Sequence, residues 1–306
     1  MILDPSLKSS FDDQGFVIIP ASSPSSLIPS SDPDLLQALR DASGTIIKKT
    51  RSGEWPHRRV VGKQFPPFGN DSPDSWGVQH VMHPDLGEEG RVLAQWYTSE
   101  AVRDVVKGLL KCSDEELQME LFNLLINPES HEFALRWHRD DVKGTATEEE
   151  EIEALTIWHY GVQWNRALYE DSCLFVVPGS HKVPRTPEQR AQSTGLEAPE
   201  DPNIMPGAVS VTLYPGDTVF YNNNILHTGI YNHRATRATL HASVGDTRGG
   251  STRARNVLQH GLEWMEKDER FKNGLSDEGK KMLDRLITMK HAVGNGNGKV
   301  VYSQDG

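Results

Sequence analysis

Trp137-His138-Arg139-Asp140-Asp141 is the stretch from which this chain is read. In an extended backbone, residues i and i+2 point to one face, so His138 and Asp140 converge on a single point while Asp141 turns away. A neutral imidazole and a carboxylate suit a divalent first-row metal, and two histidines with one carboxylate make the facial ligand set of mononuclear non-haem Fe(II) sites. The candidate third ligand is His227, in Asn223-Asn224-Ile225-Leu226-His227-Thr228-Gly229. It follows a Pro215-Gly216-Asp217 turn and the strand-like run Thr218-Val219-Phe220-Tyr221. A His-x-Asp pair alone arises often by chance, so the surrounding framework has to carry the reading.

The composition is that of a soluble globular protein. The chain has 306 residues, 36% hydrophobic and 25% charged, which permits one large domain or two ordinary ones. A formal net charge of -11 argues against a nucleic-acid surface, which needs clustered Lys and Arg. Cys112 and Cys173 are the two cysteines. They form no CxxC pair, and no basic-then-apolar leader is seen, so a reducing, cytoplasmic setting is expected without a disulfide scaffold. No apolar run approaches the ~18 residues of a membrane span.

Around the metal motifs the pattern is of short strands. Glu120–Ile126, Phe133–His138, Leu155–Trp164, Cys173–Val177, Val209–Leu213, Thr218–Tyr221 and Thr236–Ser243 are each β-rich and bounded by turn residues, which favours a sandwich or barrel. Before them, Phe11–Gly15 reads as a helix end running into a strand, and 20–31 as a Pro/Ser-rich loop. Asp32 and Pro33 offer a cap for a helix ending near Arg51, and a second helix is expected over Glu88–Leu110. The segment Ser52–Trp76 reads as a long ordered loop and Glu148–Glu151 as a solvated one. Pro184–Met205 reads as an inserted loop with a helical turn. The tail is helical, over Val257–Lys267 and again from a cap near Ser276, where Met282, Leu286, Met289 and Val293 form a stripe more suited to packing than to a subunit contact. Gly294–Lys299 lacks the spacing of a phosphate loop and reads as a turn.

Arg237 adds to the chemical case. It stands ten residues after His227, on a predicted strand where Arg237, Thr239 and His241 share a face. A buried guanidinium there suits the far carboxylate of 2-oxoglutarate in a bidentate pair. Arg234 is the competitor, but it precedes the strand.

The order of these motifs resembles the phytanoyl-CoA dioxygenase family of Fe(II)/2-oxoglutarate oxygenases. The likeness runs from Asp13-Gln14-Gly15-Phe16-Val17 through Leu124-Leu125-Ile126-Asn127, Trp137–Asp140, Cys173–Lys182 and Pro215-Gly216-Asp217 to His227, Asn232 and Arg237. Pro178-Gly179-Ser180-His181 is its most telling piece. The resemblance implies a mainly β fold with flanking helices, a double-stranded β-helix of the jelly-roll, cupin-like type. It implies one dioxygenase domain over 1–306, with a helical and loop region over 1–118, a core over 119–245 and a helical extension over 246–306. It further implies Fe(II) on His138, Asp140 and His227, 2-oxoglutarate on Arg237, and O2 as oxidant. Leu124 and Trp164 would line the 2-oxoglutarate pocket. Two positions depart from the family: Gly77 stands where many members have lysine, and Gly229 where serine is usual. Both remove polar contacts to the co-substrate, which Gln79 or a neighbour would have to replace.

The implied reaction releases succinate and CO2, and the intact Asp140 favours hydroxylation, desaturation or ring chemistry over halogenation. The competing readings are a hydrolase or isomerase using another metal, and a non-catalytic cupin-like binding module. No Gly-x-Ser-x-Gly, His-Glu-x-x-His or paired-cysteine motif supports another enzyme class. The expected substrate is a small metabolite rather than an acyl-CoA, and the expected assembly a monomer or homodimer. Trp55, Phe65, Pro66, Pro67 and Phe68 suggest an apolar wall, with Arg58, Arg59 and Lys63 at its rim.

Overall fold

The structure is a computed structural model that describes residues 3–28, 32–66, 69 and 74–294. Pro67, Phe68 and the glycine-rich stretch 295–299 lie outside the described residues. The strands are β1 (Phe16–Ile19), β2 (Arg58–Val60), β3 (Ser75–Val78), β4 (Leu117–Ile126), β5 (Phe133–Ala134), β6 (Gly161–Ala167), β7 (Asp171–Val177), β8 (Val209–Leu213), β9 (Thr218–Tyr221), β10 (Leu226–Tyr231) and β11 (Ala238–Asp246). They form a seven-stranded sheet in the order β1-β9-β6-β11-β4-β3-β2 and a four-stranded sheet in the order β5-β10-β7-β8. Every pairing is antiparallel.

Period-two alternation gives the larger sheet two different faces. On one, Phe122, Leu124 and Ile126 of β4, Val162 and Trp164 of β6, and Leu240, Ala242 and Val244 of β11 enter the main hydrophobic core. That core also takes in apolar positions of α3 (Glu88–Tyr97), α4 (Glu100–Leu110) and α10 (Asp277–Gly294). On the other face, Leu121, Leu125, Gln163, Asn165, His241 and Ser243 line a cavity shared with the smaller sheet. The α10 stripe is spent on packing: Met282, Leu286 and Met289 are buried, and Gln118 of β4 meets the Met289 sulfur at 3.2 Å. Burying each such side chain contributes about 1.5–3 kcal/mol.

Several expectations are corrected. Helical residues outnumber strand residues, so the fold is mixed rather than mainly β. The Glu88–Leu110 helix is two helices, because Ser99 accepts from the Val102 N–H and starts α4 afresh. The helix after Asp32 and Pro33 is α2 (Leu35–Arg51), which begins beyond both residues. Within the expected loop Ser52–Trp76, β2 forms a hairpin partner for β3 that sets Arg59 opposite Gly77. Glu148–Glu151 opens helix α5 (Glu148–Leu155) with a Thr147/Glu150 capping box. Its Glu151 is fully buried among Arg139, Arg185 and Arg190, at 2.9, 3.1 and 2.7 Å. Among the described residues no helix is long and apolar enough to cross a membrane.

Candidate metal centre

Regular strand stops at Ala134, and Trp137–Asp141 follows as a bent segment with His138 as its one bridge residue. His138 is held instead by an isolated antiparallel bridge to His227 of β10, and the Asp140 N–H donates to the Asn223 carbonyl at 3.0 Å. The i, i+2 convergence therefore survives without a strand. Ligand atoms of His138, Asp140 and His227 all lie within 4.8 Å of one another, a group able to hold a metal ion. Asp141 lies outside that group.

Each histidine is fixed in the tautomer a metal needs. Nδ1 of His138 lies 2.8 Å from the Arg136 carbonyl and Nδ1 of His227 lies 2.9 Å from the Ile225 carbonyl. A carbonyl only accepts, so each Nδ1 carries the proton and each Nε2 offers a lone pair. Burial, with His227 adding to it, pushes the His138 pKa down and keeps the ring neutral. Burial works to raise the Asp140 pKa, but the two imidazoles and the Gln163 amide hold it below the usual carboxylate range. That amide donates to Asp140 Oδ2 at 2.5 Å.

Arg139, between the two ligands, supplies the brace. Its guanidinium bonds Glu151 and donates to the carbonyls of Ser180, Val183 and Asn224. It thus ties the metal motif to the Pro178–His181 turn and to the bend that precedes His227. Ser180 Oγ also accepts from the Leu226 N–H at 2.8 Å. The role of this turn is to place β10, and with it His227.

Arg237, expected on a strand, stands just before β11 instead, because the strand begins at Ala238, and it is buried. Its Nε donates to Asp171 Oδ2 at 2.9 Å, and its guanidinium carbon lies 4.6 Å from the Tyr231 ring centroid. Burial works against its charge, but Asp171 and Tyr231 outweigh this and raise its pKa. Nη1 is buried with no partner, and Arg237 lines the same cavity as the triad. Arg234 is exposed, in a turn made with Asn232.

The other residues expected around the co-substrate are placed elsewhere. Trp164 and Leu124 are fully buried on the helix-facing side of the sheet, because they alternate with the cavity-facing Gln163, Asn165, Leu121 and Leu125. Gln79 is also away from the cavity wall, where its carbonyl accepts from Trp55 Nε1 at 3.0 Å. The basic trio is divided: Arg58 bonds Ser75 Oγ, Lys63 is exposed, and Arg59 is in the cavity rather than at its rim. Gly229 has a counterpart too, since a Cβ there would meet the Tyr231 ring at 3.0 Å. Tyr231 fills the space and presents its ring to Arg237.

Sequence reading placed Arg59 at the rim and missed Gln163, Asn165 and three residues from the tail, Arg253, Gln259 and His260, all of which line the cavity. The register that faces Arg59 with Gly77 could have signalled Arg59. Gln259 and His260 belong to no motif. The cavity between the sheets has a volume of about 150 Å³, room for a compact ligand.

Comparison with solved structures places the fold. AviO1 from Streptomyces viridochromogenes Tue57 is similar at TM-score 0.54 and 18% identity, over 80% of this chain and 96% of that one. EctD from S. alaskensis, solved with 2-oxoglutarate and 5-hydroxyectoine, is similar at TM-score 0.55 and 16% identity, over 81% and 78%. SnoK, the non-heme alpha ketoglutarate dependent carbocyclase from nogalamycin biosynthesis, is similar at TM-score 0.50 and 18% identity, over 80% and 84%. No curated protein matches by sequence search. The family model described as phytanoyl-CoA dioxygenase (PhyH) matches residues 11–237, a span that holds His138, Asp140, His227 and Arg237, and the chain belongs to that family.

Proposed function

We propose that this protein is an Fe(II)- and 2-oxoglutarate-dependent dioxygenase that oxidises a small organic metabolite by hydroxylation, desaturation or a related C–H oxidation. The observation that carries this reading is that His138, Asp140 and His227 share one cavity with the unpartnered Nη1 of Arg237. Two imidazoles and a carboxylate fit Fe(II) with positions left open, and a buried guanidinium braced by Asp171 fits a carboxylate. Bound there, the iron supplies the redox chemistry that couples decarboxylation of 2-oxoglutarate to oxidation of a substrate C–H bond. The chain itself does the positioning. Gln163 orients Asp140, the main-chain bridge sets the spacing of the histidines, and Phe65, Trp76, Leu125, Leu135 and Tyr231 make an apolar wall that limits water.

The same reading makes 1–306 one domain with a double-stranded β-helix at 119–245, since both 1–118 and 246–306 send residues into the cavity between the two sheets. The size of the cavity supports a substrate smaller than an acyl-CoA. The contents of the EctD crystal and the pathway of SnoK support a small molecule, including one of secondary metabolism. The test is succinate formation from 2-oxoglutarate by protein reconstituted with Fe(II) in air. Hydroxylation consumes one O2 and one 2-oxoglutarate per product and releases succinate and CO2. Release that depends on Fe(II) and disappears in Asp140→Ala supports the proposal, whereas release that survives that substitution refutes it.

A further inference from the structure

Three arginines line the cavity, and two of them are matched. Arg237 is paired with Asp171, and Arg253 is held through two of its nitrogens by Glu120. Arg59 has no such partner among the described residues. It is 7% exposed, and its Nε is buried without a hydrogen bond. Its guanidinium carbon lies 4.8 Å from the Phe65 ring centroid and 5.2 Å from that of Trp76.

A buried cation without a counter-ion is unfavourable, and two aromatic faces return only part of what desolvation removes. Burial accordingly lowers the Arg59 pKa to about 10, with Tyr231, Asp140 and Tyr221 opposing the shift only in part. The fold nevertheless makes room for this ion. Gly77 stands directly opposite on β3, where a Cβ would already be in van der Waals contact with Arg59 Cδ at 3.4 Å, so the space a longer side chain would take is left to the arginine stem. A charge kept in a cavity wall at such a cost, with no counter-ion among the described residues, points to a ligand as its partner.

We propose that Arg59 is a second carboxylate-binding group of the cavity, beside Arg237, for an anion bound in the same chamber as His138, Asp140 and His227. Planar guanidinium favours carboxylate through a two-point fork, and the flanking Phe65 and Trp76 faces hold that fork in place. The carboxylate has two sources: 2-oxoglutarate, a dianion, and a substrate that carries an acid. The first source rests on the function proposed above and the second does not.

The experiment uses wild type, Arg59→Met and Arg59→Lys, each loaded with Mn(II) and kept free of O2. Calorimetry measures 2-oxoglutarate binding first. Small aliphatic and aryl carboxylates, each beside its amide, are then titrated with 2-oxoglutarate present. Arg59→Met is expected to weaken binding about 30-fold or more. Loss of 2-oxoglutarate affinity identifies the co-substrate as the anion, and loss of acid binding with 2-oxoglutarate unaffected identifies the substrate. Lysine should restore part of the loss, since it keeps the charge without the fork. Wild type that fails to bind 2-oxoglutarate contradicts the proposed function instead, and the acid titration then decides the role of Arg59.

Unchanged affinity for 2-oxoglutarate together with no Arg59-dependent preference for acids over amides overturns the proposal. The melting temperature of the ligand-free protein supplies a second readout. Arg59→Met should leave it unchanged or raise it, because no ion pair is lost. A fall of several degrees, equal in Arg59→Lys, would make Arg59 a structural brace and overturn the proposal as well.

Discussion

His138 and His227 face each other across a two-residue antiparallel bridge, each donating its backbone N–H to the other's carbonyl at 3.0 Å. Their ring centroids lie 4.3 Å apart. The main chain, rather than a mobile loop, therefore sets the separation of the two imidazoles. Asp140 is positioned differently, through the Gln163 amide on β6. Outer partners of this kind typically account for 10–100-fold in metal affinity. Gln163→Leu should weaken Fe(II) binding by about that factor with little change in fold, as measured by chelator competition and circular dichroism. Unaltered affinity would mean that Asp140 is held by its backbone alone.

Arg237→Ala should raise the 2-oxoglutarate dissociation constant about 30-fold or more, as expected when one partner of a buried charge pair is lost. Asp171→Asn should produce a smaller loss in the same direction, since Asp171 orients Arg237 through Nε and neutralises it. Arg234→Ala is the control and should bind normally. A loss confined to Arg234→Ala would show that the co-substrate carboxylate is held by the turn after β10 rather than inside the cavity.

Restoring the family's serine should not help this protein. At Gly229 a Cβ would meet Tyr231 Cε2 at 3.0 Å and its hydroxyl at 3.3 Å, so Gly229→Ser displaces the ring that lies over Arg237. Binding of 2-oxoglutarate should weaken in Gly229→Ser and recover at least in part in Gly229→Ser with Tyr231→Ala. Tighter binding by the single variant would show that Tyr231 takes no part in holding Arg237.

The features of the site that are legible in the sequence are those whose chemistry is local. His-x-Asp, the distal histidine behind a Pro-Gly-Asp turn, and an arginine ten residues later stand out when read together in chain order. Trp164 and Leu124 are misplaced by sequence reading because a shift of one residue along a strand exchanges the two faces of a sheet, and only the cross-strand register shows that Gln163 and Leu125 look inward. Glu151 reads as one of four like charges on a solvated loop, whereas three arginines from distant segments surround it. Arg59, Gln259 and His260 reach the cavity through tertiary packing, which leaves no periodic mark in the chain. The helical share is underestimated because the capping signals of α5 and α6 (Pro187–Ser193) lie in polar stretches that resemble loops.

Stability should fall as the solution is acidified below neutrality. Burial, reinforced by neighbouring positive groups, lowers the pKa values of His80, His241 and His260 to about 4, about 3 and about 3, from an ordinary value of 6.5. The unfolded chain takes up these protons first, so each group's contribution is intact above pH 6.5 and is lost as pH falls from there toward the folded value. The slope is at most about 1.4 kcal/mol per group per pH unit, less where cavity water screens the ring. The melting temperature should therefore drop between pH 7 and pH 5. A flat profile across that interval would show that these rings protonate in the folded state without penalty.

The most direct measurement is anaerobic titration of Fe(II) into wild type and His227→Ala, with bound iron counted after gel filtration and the Fe(II)·2-oxoglutarate absorbance recorded on adding the co-substrate. Wild type should retain one iron per chain and develop the band. His227→Ala should retain essentially none and develop no band, while keeping the wild-type circular dichroism. Equal iron stoichiometry in the two proteins, or a wild type whose iron gives no spectral response to 2-oxoglutarate, would contradict a metal centre built from His138, Asp140 and His227.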